Sequence, residues 1–514
     1  MARPGTVYLV GGGPGDPELT TVRARELLQV ADLVMYDALI HRDQLRHCRP
    51  GAEVRYVGKR AGRVAERQAS INAQLVEAAA AGKRVVRLKG GDPYLFGRGS
   101  EEAQHLRQHG IPFEVVPGVP SPLAATAYAG ISLTHRDLAS SIAYLTATES
   151  PDKSASSHDW AKLATATQTL VIFMGVRKLE ELTDKLIANG RAADCPAAVI
   201  QSASLPAQRT VVGTVGDIAQ RARDAGVGMP ALTVVGEVVR LRSELRWYDE
   251  RPLFGHGVAV TRASAQAPAL SAALRRAGAQ PVEFPAIAIE PAADRGPLER
   301  CVCEAGDYDW IVFTSVNGVA AFMDELATQG ADIRRLGSAR VAAIGPATRD
   351  ALLQRGLRAD AMPDEYRGEA VAEAILATTE GGVSGLRVLI PRAAVARDAL
   401  PAALTDAGAR VDVVEAYRTV EADETTGDRL AGAIAAGEVD VITFTSPSTV
   451  HNTLKSLGKQ AISTLRGITI ACIGPITADT ASDAGLPVHI SADDYTATGL
   501  VEALERHFAQ ETAP

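Results

Sequence analysis

The sequence predicts an α/β protein of several domains, and three observations carry that prediction. Short apolar runs that end in glycine or a polar turn alternate with amphipathic helical patterns along most of the chain. With 514 residues the chain exceeds what one hydrophobic core ordinarily organises. Aromatic residues make up only 4% while Gly, Ala and Val abound, a composition suited to close layers of small side chains.

Taken in order, the first run is Thr6–Val10, followed by Gly11-Gly12-Gly13-Pro14-Gly15-Asp16-Pro17. Leu33–Tyr36, Arg84–Leu88, Leu170–Phe173, Ala197–Ile200 and Ala231–Val235 read as further strands, in largely parallel sheets. Gln68–Ala81 and Glu101–His109 read as helices between them. The polar stretch Glu149–Ser157 marks a boundary between two lobes, about 1–140 and 141–250, and Arg242–Gly257 marks a second boundary.

Beyond that second boundary the sequence repeats itself. YDWIVFTSVNGV at Tyr308–Val319 resembles VDVITFTSPSTV at Val439–Val450, 131 residues on. AAIGPATRDALLQRGL resembles ACIGPITADTASDAGL at a spacing of 129, which Tyr366 and Tyr495 also keep. AVTRA…LRRAGAQPVEF resembles LIPRA…LTDAGARVDVV at a spacing of 130. Two copies are too few for a solenoid and predict two like α/β domains with a cleft between them.

Net charge is −8, which disfavours a general nucleic-acid binder, although a local basic site can still take an anionic substrate. The five cysteines are scattered and form no CxxC pair, so neither a disulfide framework nor a zinc site is expected. His105 and His109 share a helical face but lack a third ligand, and no metal is assigned. With no signal-like or membrane-spanning apolar run, a cytoplasmic location without membrane association is expected.

The first glycine loop departs from a dinucleotide fingerprint, because Asp16 stands at its last position and Pro14 removes a backbone donor. A second loop, Arg87-Leu88-Lys89-Gly90-Gly91-Asp92-Pro93, follows another strand and precedes Phe96-Gly97-Arg98-Gly99. Two such loops at strand ends are what an open sheet offers a nucleotide-like ligand. Arg55, Lys59, Arg60, Arg63 and Arg67 form a basic cluster, to which Arg98, His135 and Arg136 add. A solvated surface is the simpler reading of such a run; recognition of a polycarboxylate is the functional one.

GGGPGDPELTTVRA, ADLVMYDALI, VGKRAG, RVVRLKGGDPYLFGRGSEE, VVPGVPS, ISLTHRD, VIFMGV and PALTVVGEVVRLR together resemble the uroporphyrinogen-III C-methyltransferases over about Thr6–Trp247. The resemblance implies a two-lobed class III methyltransferase, homodimeric, that uses S-adenosylmethionine to methylate uroporphyrinogen III at C2 and C7, giving precorrin-2. By position it implies cofactor contacts at Pro14, Gly90, Gly91, Asp92, Leu95, Pro120, Ser121, Met174 and Ala203. Pro120 stands where that family usually has Thr, so one hydroxyl contact is missing. Asp37 and Lys59 match the proton acceptor and donor, and Arg60, Arg98 and Arg136 are expected to bind substrate carboxylates.

The repeated FTS…IGP units and PRAAVARDALPAALTDAGARVDVVEAYRT resemble uroporphyrinogen-III synthase over about Gly255–Phe508. This implies two flavodoxin-like domains, one about 253–286 with 420–514, the other about 287–419, and closure of hydroxymethylbilane with inversion of ring D. Ser315, Thr348, Ser446 and Thr477 are candidates for substrate carboxylates; as helix N-caps they would have a structural role as well. Tyr417 matches the tyrosine that assists hydroxyl departure. No strand–GxGxxG–helix unit remains for a dehydrogenase of the sirohaem route. Two alternatives stay open: a second half that binds tetrapyrrole without catalysis, and an RNA-modifying methyltransferase on the same fold, which the acidic balance disfavours.

Overall fold

The computed structural model describes residues 5–58, 68–148, 157–264, 266–365, 367–394, 398–421 and 425–511. Lys59, Arg60, Arg63, Arg67, Tyr366 and most of the Glu149–Ser157 boundary lie outside them. The chain divides into two compact units, Met1–His256 with Leu274–Gln280, and Gly257–Ala273 with Pro281–Pro514.

The first unit holds two five-stranded sheets. β1 (Val7–Gly11), β2 (Leu33–Tyr36), β3 (Glu53–Tyr56), β4 (Val85–Lys89) and β5 (Phe113–Val116) are ordered β3-β2-β4-β1-β5, every pairing parallel. Apolar side chains cover both faces: Leu9, Leu33, Leu75 and Leu106 gather on one, Val10, Leu28, Val34 and Leu88 on the other. That double burial is why β1, β2 and β4 read as continuous apolar runs.

β6 (Ile142–Thr146), β7 (Thr169–Phe173), β8 (Pro196–Gln201), β9 (Arg209–Thr214) and β10 (Ala231–Val235) form the second sheet, ordered β6-β7-β10-β8-β9. Here the expectation of largely parallel pairing fails. Only β6–β7 is parallel, and β7–β10, β10–β8 and β8–β9 are antiparallel. A central strand buried on both faces is apolar whatever its direction, so periodicity does not report direction. β9 is an edge strand with partly exposed residues, and its short hairpin to β8 was not legible as an apolar run.

The second unit contains β11 (Gly257–Val260), β12 (Gln280–Glu283), β13 (Ile287–Pro291), β14 (Trp310–Phe313), β15 (Arg340–Ala343), β16 (Arg387–Ala393), β17 (Arg410–Glu421), β18 (Val441–Phe444), β19 (Thr469–Cys472) and β20 (Ile490–Ser491). One sheet runs β12-β11-β18-β19-β20 and the other β13-β17-β16-β14-β15. The first is the flavodoxin order 2-1-3-4-5. In the second, β17-β16-β14-β15 are the repeat equivalents of β12-β11-β18-β19, in the same order, so the sequence repeat is a repeat of sheet topology. β13 adds antiparallel to the far half of β17, Pro291 opposite Tyr417.

Candidate functional site

In the first unit, β1 and β4 lie parallel with Gly11 opposite Lys89, so both glycine loops leave from the same sheet edge. Backbone bonds tie them together: Gly12 N donates to Lys89 O at 2.8 Å, Gly91 N to Gly13 O at 2.7 Å and Gly13 N to Gly91 O at 3.2 Å. A Cβ on Gly11 would lie 2.5 Å from Gly118 N, and one on Gly118 would lie 2.3 Å from Gly91 O. Three strand-end backbones therefore meet where no methyl group fits. At Gly91 itself φ is +68°, and a Cβ would find only Ser121 N, 3.8 Å away.

Asp92 fastens this arrangement. Its Oδ2 accepts from Gly118 N at 3.1 Å and its Oδ1 from Tyr94 N at 2.8 Å. Each of its oxygens takes a backbone amide of the loops and keeps a second lone pair for the ligand contact that the resemblance implies. Pro120 is the N-cap of the helix Ser121–Tyr128, which has no side-chain cap bond. Its position among first-turn amides is the physical content of the missing hydroxyl.

The second-sheet loops approach from the other side. Met174 follows β7 with φ +55° and a half-exposed side chain, and Ala203 lies between Ser202 (φ +48°) and Ser204 (φ +62°). With Phe96 and Arg98, these are the positive-φ non-glycine residues among those described, all in loops after strand ends. Strain of this kind gathers at functional sites. The Phe96 ring centroid is 4.8 Å from that of Phe173, next to Met174, and Leu95 is half-buried beside Phe96. Ser204 Oγ accepts from Asp16 N at 3.1 Å, and the Tyr128 hydroxyl donates to Asp16 Oδ2 at 2.7 Å. Burial, then that bond, pushes the Tyr128 phenol up. Pro14, Gly90, Gly91, Asp92, Pro120 and Ser121 thus converge from one sheet, Met174 and Ala203 from the other.

Asp37 follows β2. Its Oδ2 lies 3.4 Å from Arg87 Nη2, and its Oδ1 accepts from Leu39 N at 3.3 Å. Arg87 and Lys89 are both buried on β4, where alternation puts them on one face. Glu102, fully buried, receives both: Lys89 Nζ at 2.9 Å and Arg87 Nε at 3.3 Å, with Gln68 Nε2 at 3.0 Å on the same oxygen. Burial, then neighbouring Arg87, holds the Lys89 ammonium below its ordinary value. This network was missed, though two charged residues in a strand that otherwise reads as buried, VVRLK, already demand a buried acid. Of the expected substrate arginines, Arg98 pairs with Glu101 at 2.6 Å and Arg136 is exposed.

In the second unit, Ser315 caps the helix Val316–Thr328, its Oγ accepting from Gly318 N at 3.0 Å, and Ser446 caps Pro447–Leu457 in a capping box with Thr449. Thr348 and Thr477 are not caps. They are buried in the first turns of Pro346–Gln354 and Pro475–Asp483, whose caps are Gly345 and Gly474. Tyr417, on β17, is 8% exposed, and its hydroxyl lies 3.0 Å from Ser315 Oγ. Ala394 N donates to Tyr417 O at 3.0 Å. The structure therefore joins Tyr417 and Ser315 in one cluster.

The model of the tetrapyrrole (corrin/porphyrin) methylases matches residues 6–219, and that of uroporphyrinogen-III synthase HemD matches residues 268–502. The chain is 37% identical over 502 residues to the porphyrin biosynthesis protein HemD of Ruminiclostridium josui, covering 97% of each. The chain belongs to the fused tetrapyrrole methylase and uroporphyrinogen-III synthase family. It is also 40% identical to the uroporphyrinogen-III C-methyltransferase of Bacillus subtilis, over 71% of this chain and 74% of that one. Among solved structures, the Thermus thermophilus uroporphyrin-III C-methyl transferase complexed with S-adenyl homocysteine is 41% identical, with 46% of this chain and 94% of that one covered and a TM-score of 0.40.

The methylase half thus has the two-lobed class III fold, and the synthase half has two flavodoxin-like domains. Tetrapyrrole biosynthesis is the shared business of both halves. Among the described residues, no helix is long and apolar enough to cross a membrane.

Proposed function

We propose that the synthase half closes hydroxymethylbilane to uroporphyrinogen III with inversion of ring D, and that the methylase half methylates that product at C2 and C7 to precorrin-2. One observation carries the reading: the product of one family is the substrate of the other, and both families stand in a single polypeptide.

The residues fit S-adenosylmethionine in the methylase half. Gly91 presents a backbone with no side chain over the start of Ser121–Tyr128, and the loop of Ala203 comes against Gly15 of the first glycine loop. When bound, this molecule supplies an electrophilic sulfonium methyl group. Gly90, Gly91 and Leu95 would hold it through close backbone approach, Pro14, Pro120, Ser121, Met174 and Ala203 would wall the site, and Asp92 would keep the loops in register. Asp37, oriented by Arg87, would accept the proton that leaves the methylated macrocycle, and Lys59 would return one. Arg60, Arg98 and Arg136 would take ring carboxylates, Arg98 by exchanging its surface partner Glu101. A homodimer formed through this half completes the proposal, with product passing toward sirohaem or cobalamin.

In the synthase half, ring closure requires a flexible chain to be held with its ends together, so positioning supplies most of the rate. Ser315, Thr348, Ser446 and Thr477 lie at helix starts beyond strand ends, where backbone amides favour carboxylates. Tyr417, already hydrogen-bonded to Ser315, would donate to the departing hydroxyl.

A coupled assay of the full chain with hydroxymethylbilane and labelled S-adenosylmethionine tests the whole reading. Dimethylated type III product supports it. Type I product alone, with methylation of supplied uroporphyrinogen III intact, would leave the second half a binding module.

A further inference from the structure

The two copies of the synthase repeat place an arginine at the same point. Thr261-Arg262-Ala263 follows β11, and Pro391-Arg392-Ala393 ends β16, 130 residues later. β11 lies beside β18, and β16 beside β14. In both sheets this is where the strand order reverses, and ligands of open α/β sheets bind beyond the strand ends at that point.

The two arginines differ in what they meet. Arg392 pairs with Asp398 at 2.6 Å. The repeat position matching Asp398 in the first copy is Pro268, which has no charge to offer. Arg262 has no carboxylate partner among the described residues; its Nε donates to the neutral Gln266 Oε1 at 3.0 Å. Burial alone pushes its guanidinium below the ordinary value. A largely desolvated cation without an anion is costly. An arriving carboxylate offsets that cost through its attraction to the guanidinium.

Arg262 is also tied to the tyrosine cluster. Gln266 Nε2 donates to Asn317 Oδ1 at 2.7 Å. Asn317 lies in the first turn of the helix that Ser315 caps, and Ser315 Oγ is 3.0 Å from the Tyr417 hydroxyl. Gln266 leads into the helix Ala267–Arg276 beside β11, whereas Asn317 follows β14, so these contacts join the switch points of both sheets.

We propose that Arg262 is a substrate-binding residue of the synthase half, taking a carboxylate of the acidic tetrapyrrole beside the Tyr417 cluster, and that Arg392 is its repeat copy, withdrawn from that role by Asp398. A guanidinium offers a planar fork that matches a carboxylate at two points. The inference rests on the ring-closing reading of this half.

The test uses the full chain with three variants, reading KM for hydroxymethylbilane, the type III to type I isomer ratio and the melting temperature. Arg262→Ala is expected to raise KM about 10–150-fold, the range for losing a charged hydrogen bond, and to let type I product accumulate. Arg262→Lys is expected to raise it less, since the charge stays and the fork goes. Pro268→Asp leaves Arg262 in place but gives it the acid that Arg392 has; KM is expected to rise severalfold. An acid in the first turn of a helix is favourable, so this variant should fold. Wild-type KM and isomer ratio in both Arg262→Ala and Pro268→Asp would overturn the inference. If Arg262→Ala melts early, Pro268→Asp decides alone. Type I product from the wild type would instead overturn the ring-closing reading, and the inference with it.

Discussion

Asp92→Ala isolates what the methylase loops need. The carboxylate accepts Gly118 N at 3.1 Å and Tyr94 N at 2.8 Å, holding the loops after β4 and β5 together. Truncation removes both charge-assisted bonds and strands the half-buried Gly118 amide, where Gly11 and Gly118 are packed too closely for a methyl group. A hydrogen bond to a charged group is worth about 1.5–3 kcal/mol. We expect that loss to appear twice. S-adenosylmethionine should bind about 10–150-fold more weakly in calorimetric titration, at about 1.4 kcal/mol per tenfold. The methylase transition should also fall by about 3–12 °C, at about 2–4 °C per kcal/mol for a domain of this size. Asp92→Asn should be intermediate, keeping one acceptor and turning an amide N–H toward the other donor. Ring closure by the synthase half should persist. Weakened binding with an unchanged melting temperature would refute the loop-fastening argument and assign Asp92 to the ligand directly; unchanged values of both would refute any role.

Pro120→Thr supplies a side-chain cap to Ser121–Tyr128, which has none, so the unfolding free energy of the methylase half and the S-adenosylmethionine binding free energy should each gain about 0.5–1.5 kcal/mol; equal or weaker binding would mean the loop is adapted to proline. Glu102→Ala leaves Lys89 buried without its paired acid and Arg87 with Asp37 alone, and should cost about 3–5 kcal/mol in denaturant unfolding; a loss under about 1 kcal/mol would show that water or Asp37 replaces it. Tyr417→Phe keeps the ring but removes the hydroxyl near Ser315, and should slow uroporphyrinogen III formation by about 10²-fold or less without abolishing it. A wild-type rate and isomer ratio in that variant would remove Tyr417 from the mechanism.

The α/β class, the family of each half and the internal repeat were legible in the chain because they are written locally. Apolar runs mark buried strands, glycines mark strand-end loops, and the FTS and IGP units recur 129–131 residues on. It also named Gly90, Gly91 and Pro120, whose neighbours the structure then supplied. What it left open depends on which strand lies beside which. β7, β8 and β10 are equally apolar whether paired parallel or antiparallel, so the mixed pairing of the second sheet is visible only in the folded chain. That Asp92 also fastens Gly118, 26 residues on, is visible only once β4 and β5 are placed in one sheet. Arg87, Lys89 and Glu102 are close in sequence, yet their shared burial follows from a helix folding back on one face of β4. Arg262 and Arg392 are alike in the repeat and differ because Arg392 meets Asp398 while Arg262, among the described residues, meets the neutral amide of Gln266. A side chain's type is local, but its charge balance is set by whatever the fold brings within a few ångströms, and that is decided by long-range packing.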